Sequence, residues 1–261
     1  MSTQASAAPR PRTVGRRRMI VRQASFEFRL MMRNGEQFLL TIIIPVILLV
    51  GLTKASLVDV GGTVAGTSER AALVVPGVLA LAVMSTAFTA QAIATGFDRR
   101  SGALKFLGAT PLQRSGLIWS RTLTTLTMLA VQFTILIGLA LILGWRPEGP
   151  LWSALVLVLA GTAAFSTLGL ALAGTLRAEA TLAAANGIYL LLLLGGGVVV
   201  PLDDMPAPLA TVGALLPSGA LGEGLREILA AGEIMPWPRL LVLLAWAALG
   251  SIVAVRTFRW E

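Results

Sequence analysis

Residues 98–111, DRRSGALKFLGATP, form a short basic segment with two glycines and a proline, set between two long apolar runs. Residues 71–97 before it carry no charge, and neither do residues 122–145 after it. A charged loop between two segments of bilayer length is where a membrane protein can touch something soluble. That contrast identifies lipid as the solvent for most of the chain and the loop as its point of control.

Composition agrees. The 261 residues are 56% hydrophobic and only 13% charged, with a mean hydropathy of +0.81. A soluble domain of this length needs a far more polar surface. Cutting the chain at its charges leaves six apolar blocks: 37–53, 71–97, 122–145, 149–176, 180–202 and 240–255. A helix needs roughly 20 residues to cross the hydrocarbon. Four blocks reach that length, and the first and last are extended by snorkelling of Lys54, Arg239 and Arg256. The expected fold is an all-α integral membrane protein with six transmembrane helices, at about 37–57, 71–97, 117–145, 149–176, 180–202 and 237–256. Block 37–53 follows a long charged stretch and precedes five more spans, so it reads as a span and not as a signal peptide. Residues 1–15, rich in Ser, Ala, Pro and Arg, read as a disordered cytoplasmic tail, and 16–261 as one transmembrane domain.

The arginines set the expected orientation. Sixteen basic residues fall on one face: eight from Arg10 to Arg33, then Arg99, Arg100, Lys105, Arg114, Arg121, Arg177, Arg256 and Arg259. The other face holds Lys54, Arg70, Arg146, Arg226 and Arg239, with most of the acids. The bias repeats at every loop, which places both termini in the cytoplasm and the protein in the cell membrane as a multi-pass component. It also accounts for the pI of about 11.4 without nucleic acid as a partner, because the basic residues flank apolar spans. The chain has no histidine and no cysteine. Disulfides, Cys or His metal sites and a His general base are therefore excluded, and no cofactor bound by this chain is expected.

Three segments outside the spans carry structure of their own. In 16–35, Arg18, Arg22, Arg29 and Arg33 form one stripe at helical spacing, with Ile20, Ala24, Phe28 and Met31 opposite. Such an amphipathic helix lies in the headgroup plane with its arginines toward anionic lipid. It serves either as a plain anchor or as an elbow helix that helps form a docking groove, with Glu27 as the polar contact. The segment 203–236 is too apolar for an ordinary loop and too broken by Pro201, Pro206, Pro208 and Pro217 to span. Two short helices, roughly 207–216 and 219–231, fit the breakers. They form either a surface hairpin or a re-entrant outer gate in which Pro206, Pro217 and Arg226 are the candidate residues. In the loop, Asp98 to Gly102 can cap and begin a short helix, and Gly108 to Pro111 can end it.

At this loop the chain resembles the permease subunits of ATP-binding-cassette (ABC) transporters of the type-2 exporter class. That family carries here an acid, Arg, two variable residues, Gly, a small residue and Leu, followed by Leu and Thr-Pro. The matching residues are Asp98, Arg99, Gly102, Ala103, Leu104, Leu107, Thr110 and Pro111, and Ser120-Arg121 stands where Gly-Lys commonly opens the next span. Asp98 replaces a commoner Glu and Lys105 a common acid, both compatible with a resemblance to actinobacterial-type drug-exporter permeases. The resemblance extends from the arginine-rich first helix to Leu225-Arg226. It implies an ATP-driven exporter in which Glu27 and the coupling loop 98–116 meet a separate ATPase subunit. It also implies that the ATPase uses ATP and Mg, and that a second permease copy, identical or paralogous, completes the path within membrane lipid.

A phosphate-binding loop needs Gly-Lys-Ser/Thr, and the only lysines, Lys54 and Lys105, follow Thr and Leu. The chain is thus expected to be a permease and not itself an enzyme. An apolar path favours an amphiphilic cargo, such as a drug, a lipid or a lipid-linked glycan. Gln91 and Asn186, polar side chains within spans, are candidates either to line that path or to bond between helices. The competing readings are an ion-coupled carrier, which places ionisable residues near the midplane, and a membrane scaffold. No charged residue lies in any of the six blocks.

Overall fold

The computed structural model describes residues 15–33, 35–54, 66–102, 113–198 and 200–257. Among these residues the chain is helical and contains no strand. The helices are α1 (Arg16–Arg33), α2 (Gly35–Lys54), α3 (Thr67–Arg100), α4 (Gln113–Ile142), α5 (Leu151–Thr175), α6 (Ala178–Gly195), α7 (Ala207–Leu215), α8 (Pro217–Leu229) and α9 (Trp237–Thr257). Five of them, α3, α4, α5, α6 and α9, hold stretches long and apolar enough to cross a membrane. The apolar part of α2, Thr41–Lys54, is shorter. The two short helices between α6 and α9 begin where the prolines allow: Pro206 precedes α7, and Pro217 is the first residue of α8.

The architecture is built around α3. Of its most apolar stretch 83% is buried, against 17% for α6 and 22% for α9. Helices α2, α4, α5 and α8 pack against α3, and α9 lies along α5. Close approach is made possible by glycine. A β-carbon at Gly169 of α5 would stand 2.8 Å from Phe88 O, and one at Gly77 of α3 would collide with Val198 O. This is how apolar helices associate in lipid, where contact area and not water exclusion provides the attraction.

Two features depart from a plain bundle of straight spans. Residues Met84–Ala90 in the middle of α3 form a π-helical segment, in which hydrogen bonds reach one residue further than in an α-helix. Beside it the Thr86 hydroxyl donates to Gln132 Oε1 at 3.1 Å, and Gln132 Nε2 donates to Thr41 O at 2.8 Å. A buried polar chain thus joins α3, α4 and α2.

The second departure corrects the loop. Asp98, Arg99 and Arg100 do not begin a new helix; they are the last residues of α3. Ser101 closes the helix and Gly102 leaves it with φ of +74°. Two arginines in a last turn followed by glycine are the ordinary signature of a helix stop, because they complement the carbonyl end and supply the left-handed residue.

Candidate functional site

The end of α3 next to the loop gathers charged side chains from three helices and the carbonyl end of a fourth. Arg121 of α4 donates through Nη2 to Asp98 Oδ2 and through Nη1 to Thr95 Oγ1 at 2.6 Å. Arg99 donates through Nη1 to Gly174 O at 2.8 Å and through Nη2 to Leu176 O, the exposed carbonyl end of α5. Arg100 pairs with Glu179 in the first turn of α6. Three consecutive residues therefore bind three different helices: Asp98 binds α4, Arg99 binds α5 and Arg100 binds α6. They can do so because successive helical residues point about 100° apart. The same rotation that defeats an amphipathic stripe makes a three-way clamp.

Beside this clamp lies a recess of about 580 Å³ between α1, α3 and α4. Glu27 and Arg33 of α1, Gln91 and Asp98 of α3, and Arg121 and Thr125 of α4 line it, together with the apolar Leu30, Met31 and Ala94. Glu27 Oε1 accepts from Gln23 Nε2 at 3.0 Å, and the Thr124 hydroxyl stands 3.2 Å from Oε2. Thr125 Oγ1 donates to Gln91 Oε1 at 3.3 Å. On α1 the four arginines of the predicted stripe, at 18, 22, 29 and 33, are exposed, while Ala24 is buried against α4.

The opposite end holds a different kind of cluster. Arg226 of α8 is buried and donates through Nη1 to Gly197 O and to Glu223 Oε1, both at 2.7 Å, and through Nη2 to Val198 O at 2.8 Å. Glu223 Oε1 also accepts from the Leu202 amide at 2.9 Å. Burial draws the Arg226 guanidinium below its ordinary range, and the carboxylate of Glu223 opposes that shift. The Glu223 side chain is only 12% exposed and faces Arg226. Glu227 accepts from Arg239 of α9 at 3.0 Å, fixing α8 to the next helix.

The predicted residues separate accordingly. Glu27, Gln91 and Asp98 meet on one recess, with Arg99 on the adjoining clamp and Gly102 just beyond. Leu104, Leu107, Thr110 and Pro111 lie outside the described residues. Asn186 is exposed on α6, and its amide donates to Leu182 O at 3.0 Å within its own helix. Pro206 is exposed, whereas Pro217 and Arg226 are buried. Gln132 and Glu179 carry no signal in the sequence, and Arg121 stands out there only as the residue that opens a span, directly after a loop rich in basic residues.

Residues 23–230 match the family model described as ABC-2 type transporter. The chain is 25% identical over 180 residues to a Bacillus subtilis (strain 168) protein that carries the name transport permease YvfS; the match covers 66% of this chain and 71% of that one. It is 27% identical over 189 residues to ABC transporter G family member 20 of Dictyostelium discoideum, covering 69% of this chain and 26% of that much longer protein.

Proposed function

The chain belongs to the ABC-2 type transporter family, as a multi-pass transmembrane component of an ABC transporter, and from that premise we infer that it is the permease of an ATP-driven exporter of amphiphiles. The observation that carries this reading is the clamp at the end of α3. A pull on the chain just after Gly102 reaches α4, α5 and α6 through Asp98, Arg99 and Arg100 together. The connection between α3 and α4 is then the handle held by a separate ATPase subunit, which uses ATP and Mg, while this chain binds no cofactor. In this reading Asp98 and Arg99 are positioning residues that spread the motion, and Leu104, Leu107, Thr110 and Pro111 supply the grip.

The same reading makes α2 the first of six spans, α1 an elbow helix on the cytoplasmic side with Glu27 near the ATPase, and both termini cytoplasmic in the cell membrane. Helices α7 and α8 form the outer re-entrant hairpin, in which Pro206, Pro217 and Arg226 belong to the gate. The outward apolar faces of α6 and α9 meet lipid or a second permease copy. The cargo class is an amphiphilic drug, lipid or lipid-linked glycan.

Coupling is tested by co-expressing the chain with its ATPase subunit and substituting Gly102→Asp or Leu104→Asp. Membrane insertion and ATP hydrolysis are expected to persist while export is lost. Unchanged export in both variants, or full transport without the ATPase, would overturn the reading.

A further inference from the structure

The recess beneath α1 carries charges that the α3 clamp does not use. Four charged side chains line it, and two of them, Asp98 and Arg121, neutralise each other. The other two do not. Glu27 is held only by Gln23 and Thr124, neither of which is a cation, and Arg33 forms no ion pair among the described residues. Among the described residues, a carboxylate and a guanidinium with no ionic partner thus face one space, about 9 Å apart along the α1 axis at 1.5 Å per residue. Between them Leu30, Met31 and Ala94 make the wall apolar. Leu30 is 60% exposed and Phe26, one turn before it, 62%, so the apolar wall continues outward along α1.

A ligand that satisfies this arrangement has a protonated amine for Glu27, a phosphate for Arg33 and an apolar chain to lie along Leu30 and Phe26. We propose that the recess binds the zwitterionic headgroup of a phospholipid of the phosphatidylethanolamine type, seated between α1, α3 and α4. An ammonium group with three donors bonds a carboxylate directly, and a guanidinium presents a fork of donors to phosphate. An anionic headgroup without an amine satisfies Arg33 and repels Glu27. The proposal places this lipid in the inner leaflet, and for that alone it rests on the orientation given under the proposed function. It also gives α1 a lipid-dependent attachment next to the α3 clamp.

The experiment is lipid titration of the purified full chain in detergent, read by native mass spectrometry, with no ATPase and no transport involved. Phosphatidylethanolamine is expected to bind about threefold or more tightly than phosphatidylglycerol, the range open to a partly exposed ion pair. Glu27→Gln should erase that preference while leaving phosphatidylglycerol bound. Arg33→Gln should weaken both lipids, and Arg33→Lys should restore them. Ala94→Phe, which fills the recess without altering charge, should reduce both lipids even if a charge variant is poorly folded.

Equal binding of the two lipids by the unaltered chain would overturn the proposal, as would a preference that survives Glu27→Gln. Dodecylammonium and dodecyl phosphate separate the two halves of the headgroup. If dodecylammonium alone displaces phosphatidylethanolamine as well as the whole lipid does, Arg33 has no part and the zwitterionic assignment fails. Because the readout is binding, its failure leaves the export reading untouched, and loss of coupling in the loop variants leaves this proposal untouched.

Discussion

The two charged ends of the molecule solve opposite problems. At the hairpin end, Arg226 and Glu223 have side chains only 8% and 12% exposed, and the guanidinium closes onto the carbonyls of Gly197 and Val198. At the loop end, Arg100 and Glu179 are 61% and 62% exposed, and the charges are shared among several helices. Away from water an unpaired charge is costly, so losing either Arg226 or Glu223 leaves a bare buried charge. Toward water each bond is weaker and more replaceable, so the exposed Arg100–Glu179 pair and the half-buried Arg99 can yield and re-form as helices shift. Arg121, 12% exposed, holds Asp98 more firmly. One end is a lock and the other a joint.

Breaking the lock gives the largest expected effect. Arg226→Met should destabilise the protein by about 3–5 kcal/mol, the cost of leaving a buried carboxylate unpaired. Thermal unfolding in detergent measures it, and the double variant with Glu223→Gln should recover part of the loss because no bare charge remains. A single variant that melts with the unaltered chain would remove the distinction between the two ends.

Arg99→Ala comes next. It deletes two charge-assisted bonds to the α5 carbonyl end, worth about 1.5–3 kcal/mol where buried and nearer 1 kcal/mol at this half-buried site. Its signature is kinetic as well: with the ATPase subunit present, export per ATP hydrolysed should fall more than stability does.

The smallest effect belongs to Arg100→Gln. The exposed pair with Glu179 should contribute no more than about 0.5 kcal/mol, and added salt should erase even that. A shift as large as that of Arg226→Met would place the loop end in a buried environment and collapse the comparison.

Much of this was legible in residue order. The prolines at 206 and 217 marked where two short helices begin, and the helices are found at Ala207–Leu215 and Pro217–Leu229. The stripe on α1 placed Ala24 inward and Arg18, Arg22, Arg29 and Arg33 outward. The candidate site was half legible. Glu27, Gln91 and Asp98 were named for separate reasons, and only the packing of α1 on α4 brings them to one recess. Residue order suggests that Asp98 and Arg99 open a helix that meets a partner, whereas they end α3 and bind its neighbours. A helix stop and a helix start look alike when a charged residue sits between apolar runs, unless the glycine that follows is weighed as a stop.

Residue order alone determined that the chain lives in lipid and where its long apolar helices lie. Those properties are sums over neighbouring residues, so no contact is needed to compute them. The tertiary structure alone decided that Arg226 is buried, that Glu27 and Arg33 share a recess, that Gln132 joins three helices, and that α3 is the axis. Each of these depends on which faces meet when helices cross. Residues far apart in the chain become partners only there, at distances set by small side chains such as Gly77 and Gly169.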